Sequence, residues 1–142
     1  METTKAPDYL GPFLGYRLWR LGLDCRLWSL AILTAWPEHD PLIARHFAPI
    51  PVPRLLHPRA PLLNCICGIY SFSSREYLEA GRARLDREFP GPLVTGEVLL
   101  WGQTVETSHG YRSMYAHVHR LYDDPALPVE DVAARYHVEV VP

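Results

Sequence analysis

Cys65 and Cys67 stand one residue apart, with a third cysteine at Cys25 and a histidine, His57, ahead of the pair. Thiolates and imidazoles suit zinc, so Cys65, Cys67, His57 and Cys25 are the ligand set that the sequence offers a metal. A closed structural site uses gaps of about two to four residues so that both sulfurs reach one ion. The gap of one is too tight, and on a strand these two cysteines share a face, where free thiols act as small apolar side chains. No metal and no cofactor are therefore expected. His117 and His119 would also share a strand face, with Glu97 or Glu106 on a neighbouring strand, an arrangement suited to ligation or acid–base work. No nucleophile elbow, G-x-G-x-x-G or phosphate loop accompanies them. Catalytic residues are left unassigned, and the sequence leans away from an enzyme.

A third group is better suited to recognition. Trp101, Tyr111, Arg112 and Tyr115 come close together if residues 94–122 form a hairpin. Aromatic planes beside a guanidinium can stack an unpaired base and hold its phosphate or base edge. Arg45, Arg54, His57 and Arg59 add a second basic patch on an irregular loop. The expected function is a binding domain for nucleic acid or a nucleotide-like anion. Two alternatives stay open: a small metal- or cysteine-dependent enzyme using Cys65, Cys67, His117 and His119, and an adaptor whose Pro-rich loop meets a protein partner.

Bulk properties narrow these choices. The net charge is −2 and the sequence pI about 6.4, so no global positive field drives association with nucleic acid, and a local patch must do it. All the basic residues except Lys5 are arginine, which fits either coding bias or planar recognition of anions. At 142 residues with 48% apolar and 21% charged side chains, the chain reads as one globular domain over 1–142. No uncharged apolar run approaches the roughly 18 residues of a membrane helix. Three cysteines that cannot all pair, and a start without a basic-then-apolar leader, point to the cytoplasm.

The elements that must position these groups are legible in outline. Residues 16–21 and 26–33 read as a strand pair around a Gly22–Cys25 turn, the second strand also fitting a helix. Seven prolines between Pro37 and Pro61 impose a long irregular loop in which only 41–47 could make a helical turn. Ser73 and Glu76 form a capping-box pattern that opens a helix over about 74–89, with Pro90-Gly91-Pro92 ending it. A strand over 94–107 and a segment 110–122 follow, the latter strand or helix. A short helix at about 129–136 buries Val129, Val132, Ala133 and Tyr136, and 137–141 closes as a strand. The fold class is α+β, a mainly antiparallel sheet with a small open barrel as one form of closure.

Cys65-x-Cys67-Gly68-Ile69-Tyr70, then a helix, then Gly96-Glu97-Val98-x-Leu100-Trp101-Gly102-x-x-Val105-Glu106 and Gly110-Tyr111-Arg112, resembles small bacterial proteins and domains that carry CxCGIY and GxVxLWGxVxE…GYR segments. The resemblance covers about residues 13–141 and implies no particular activity. This chain has Thr107 and Ser108 where that pattern has His and Glu.

Overall fold

The computed structural model describes residues 4–6, 12–30, 34–44 and 67–142. In chain order its elements are β1 (Thr4–Ala6), β2 (Phe13–Leu21), β3 (Leu27–Trp28), β4 (Leu42–Ile43), β5 (Ile69–Phe72), α1 (Arg75–Glu88), β6 (Leu93–Glu106), β7 (Gly110–Tyr122), α2 (Val129–Tyr136) and β8 (Glu139–Val141). The class is α+β, as expected, and residues 110–122 are strand. The Pro-rich stretch gives β4 rather than a helical turn at 42–43, because these residues pair with Ala116 and Tyr115 on the edge of β7. Residues 45–61 lie outside the described part of the chain. No helix among the described residues is long and apolar enough to cross a membrane.

β6 and β7 form a long antiparallel ribbon from Gly96↔Leu121 to Glu106↔Tyr111, closed by a tight turn in which Thr107 N donates to the Gly110 carbonyl at 2.8 Å. β2 lies along the other edge of β6 from Phe13↔Leu100 to Arg20↔Leu93. β5 lies along the outer edge of β7, and a single pair, Tyr16↔Phe72, joins β5 back to β2. Four strands thus make a ring of pairings whose last link is one residue long, so the sheet is not a clean barrel. The link needs two residues without side chains. A Cβ on Gly15 would lie 2.5 Å from Ser71 Oγ, and one on Gly110 would run into the Ser71 carbonyl oxygen. β8 adds to β7 in parallel through Arg120↔Glu139 to Tyr122↔Val141.

Alternation along the strands sends side chains into two layers. Trp19, Val94, Val98, Leu100, Ala116 and Val118 meet α2, which buries Val129, Val132, Ala133 and Tyr136. Leu18, Leu93 and Tyr122 meet Leu78 of α1 on the opposite face. The cap of α1 is Ser74, whose hydroxyl accepts from Tyr77 N at 3.1 Å. The cap therefore falls one residue later than the Ser73/Glu76 pattern suggests. Tyr136 also closes the first layer chemically: Leu27 N donates to its hydroxyl at 2.9 Å, and that hydroxyl donates to the Trp36 carbonyl at 3.0 Å.

Between its pairs with β5 and β3, the edge of β2 has no strand partner among the described residues, and Arg17 fills the gap. Its guanidinium donates to the Tyr70 carbonyl and to Ser29 Oγ (3.2 Å) and stands 4.9 Å over the Trp36 ring. Burial lowers it from the ordinary arginine value to about 10.

Tyr136→Phe leaves a buried N–H and C=O without their partner and should cost about 1 to 3 kcal/mol in urea unfolding. Unchanged stability would show that neither group depends on the hydroxyl. A second expectation concerns alkaline pH. Tyr122 donates to Glu97 Oε2 at 2.9 Å, and burial, then that carboxylate, holds its hydroxyl above the ordinary tyrosine value. The folded state keeps this proton more tightly than the unfolded chain, so the contribution is complete below about pH 10 and is lost as pH rises beyond it. Tyr122→Phe should flatten the alkaline limb of a stability–pH curve. An unaltered limb would assign the loss to other groups.

Candidate functional site

β6 carries a bulge between Trp101 and Thr104, where Gly102 takes φ 78°. Thr104 Oγ1 fixes it by donating to the Gly102 carbonyl at 3.0 Å, and lies 3.3 Å from Ser113 Oγ. Glycine is required twice over at this point, by its positive φ and because a Cβ would lie 2.7 Å from Cδ2 of the Tyr115 ring. Tyr115 lies over Gly102 and stacks on its register partner Trp101, with centroids 5.7 Å apart and planes 24° from parallel. The next pair, Leu100 and Ala116, points the other way and is fully buried. Trp101 and Tyr115 are partly exposed and share their face with the following pair, Leu99 and His117.

One step further the sheet edge is interrupted. β4 covers β7 at 115–116 and β8 covers it from 120, and 117–119 have neither. A cleft of about 340 Å³ opens there, lined by Glu38, His39, Leu99, His117, His119, Tyr136 and His137. His117 Nδ1 is 2.8 Å from the Val118 carbonyl, and its Nε2 is 3.2 Å from the His39 carbonyl. The rings of His39 and His137 stack at 5.0 Å and 24°. His137 caps α2 in the left-handed region at φ 56°. Glu38 accepts from Arg135 Nε at 2.6 Å, and Arg135 also donates to the Asp24 carbonyl at 3.0 Å.

Of the residues singled out in the sequence, Trp101 and Tyr115 are brought together, and His117 and His119 line one cleft. Arg112 is not with them. It is 5% exposed and donates to the Cys67 carbonyl at 2.8 Å, so it anchors the chain leading into β5. Tyr111 packs edge-on against Phe13 with centroids 4.8 Å apart, and its hydroxyl is raised, first by burial and then by Glu106. Arg45, Arg54, His57, Arg59 and Cys65 lie outside the described residues. Cys25 and Cys67 are partly buried, and neither is in a disulfide. Among the described residues no group of three His, Cys, Asp or Glu side chains is placed to hold a metal ion. Sequence reasoning missed Glu38, His39 and His137, which come from a loop and a helix end far from β7 in the chain. No family model, curated protein or solved structure matches this chain.

Trp101 is half-buried whereas Trp19 has no exposed surface. Trp101→Ala should therefore cost about 1 to 2 kcal/mol in denaturant unfolding, against about 3 to 5 kcal/mol for Trp19→Ala. Equal losses would make Trp101 a core residue.

Proposed function

We propose that this protein is a cytoplasmic binding domain that recognises an unpaired base, in single-stranded nucleic acid or a nucleotide-like anion, by stacking it on Trp101 and Tyr115. The stacked, half-exposed pair on the sheet face turned away from Leu100 and Ala116 is the observation that carries this reading. Two near-parallel rings already fixed by strand register and by Gly102 lose little freedom when a base extends the stack. Each base so held contributes about 1 to 3 kcal/mol and is accepted with little regard to sequence. With Arg112 committed to the Cys67 carbonyl and a net charge of −2, affinity at this surface comes mainly from stacking. A weak dependence on salt is then expected. A duplex, whose bases are already stacked on each other, should bind poorly.

Tryptophan fluorescence titrated with single-stranded and duplex oligonucleotides at two salt concentrations tests this. Trp101→Ala should weaken single-strand binding by about tenfold or more, matching the loss of one stacked base, with Trp101→Phe keeping most of it. Equal binding by wild type and Trp101→Ala, or a preference for duplex, would overturn the reading.

A further inference from the structure

We propose that this protein takes a single strand of nucleotides rather than a lone nucleotide, with one base on Trp101 and Tyr115 and another on the stacked rings of His39 and His137. The first contact rests on the reading above, whereas the second stands on residues of its own.

The histidine rings are arranged like the aromatic pair. His39 and His137 are exposed residues whose ring centroids lie 5.0 Å apart, with planes 24° from parallel. Trp101 and Tyr115 stack at 5.7 Å and at the same angle. Histidine is among the side chains on which unpaired bases stack, and the contact needs a ring face rather than a charge.

Neighbouring contacts fix this second pair in place. Glu38 accepts from Arg135 Nε at 2.6 Å, which fastens the loop at His39 to the last turn of α2, just before His137. The His39 carbonyl lies 3.2 Å from His117 Nε2, so the same loop is held against β7. His137 takes φ 56° at the end of α2, and its N–H donates to the Ala134 carbonyl at 3.4 Å. Glycine or asparagine is usual at a helix end of this geometry, because a Cβ is disfavoured there. A histidine stands at this position against the preference of the backbone, and what it adds is a ring against His39.

A continuous surface joins the two pairs. Leu99 and His117 follow Trp101 and Tyr115 on the same sheet face, about 7 Å along the strands. Both also line the cleft of about 340 Å³ that contains His39 and His137, a volume within the range of small-ligand sites. With the Leu99 and His117 row between the two pairs, one base cannot lie on both, and a strand can pass from one to the other. Glu38 is the carboxylate of that lining, and its pairing with Arg135 limits repulsion of the phosphates between the bases.

Oligodeoxythymidylates of one to about eight residues, titrated into the whole protein at a single pH, test the proposal. The part of the tryptophan fluorescence that Trp101→Phe removes reports the first contact, and ring NMR of His39 and His137 reports the second. Thymidine should alter the Trp101 signal, whereas strands long enough to span should also move both histidine rings and bind about tenfold tighter or more. His39→Ala and His137→Gly should abolish that gain and leave the thymidine response of Trp101 intact. Glycine suits φ 56°, so the loss in His137→Gly does not come from unfolding. His39→Phe should keep the gain, because it keeps a ring face. Affinity that does not rise with length, with both histidine rings unmoved, would overturn the second contact and leave the first standing. A loss in His39→Phe as large as in His39→Ala would overturn it as well, since the imidazole nitrogens rather than stacking would then hold the strand. If the histidine rings respond and Trp101 does not, the reading above fails, and the spanning strand with it.

Discussion

The approach of β5 to β2 and β7 at Ser71 governs the rest of this fold. Ser71 touches both strands at positions where any side chain would collide, and Gly15 and Gly110 are what allow the contact. A ring of four strands can close there with a single residue pair because the backbones come this near. Arg17 then reaches from β2 to the Tyr70 carbonyl beside the junction, with Ser29 and Trp36 around it, so a buried guanidinium takes the place of missing strand hydrogen bonds. Burial draws the guanidinium down to about 10, the direction expected when a cation gives up water.

Closing the ring around β6 and β7 leaves their outer edges to be covered piecemeal. β7 receives β5, then β4, then β8, and the last two do not meet. Backbone polar groups at such a break need other partners. Side chains and turns converge on it, His117 onto two carbonyls and Arg135 onto Glu38 and the Asp24 carbonyl. A cleft rich in polar side chains is the ordinary outcome of an interrupted edge, and its chemistry is set by which residues happen to reach it.

How much of this was legible in the sequence differs by element. The buried face of α2 is the one its spacing predicts, Val129, Val132, Ala133 and Tyr136, because a short amphipathic helix against a sheet has one way to lie. β8 falls within the closing strand read at 137–141, whereas β4 carries too few residues to show a period, and only pairing with β7 defines it. Whether 110–122 was strand or helix was settled by its long register with β6, which is a tertiary fact. The cleft could not be read at all, since Glu38 and Arg135 meet across 97 positions of chain. The placement of Arg112 was readable in principle. Arg112 and Tyr115 are three residues apart, so on a strand they point to opposite faces. If Tyr115 is outward, Arg112 must turn in.

The bulge in β6 completes that logic. On β7 the inward positions run Arg112, Met114, Ala116 and Val118, all buried except the partly buried Met114. On β6 the alternation breaks. Trp101 is outward and partly exposed, yet Val105, of the same parity, is 1% exposed and pairs with Arg112. The extra residue at Gly102 and Gln103 reverses the face midway, so that Val105 can cover Arg112 inside while Trp101 stays outside against Tyr115. An unbroken strand would place both on one side, and either the aromatic pair or the buried arginine would be lost. Gly102, at φ 78° beneath the Tyr115 ring, is thus the residue on which the coexistence of core and stacking surface turns.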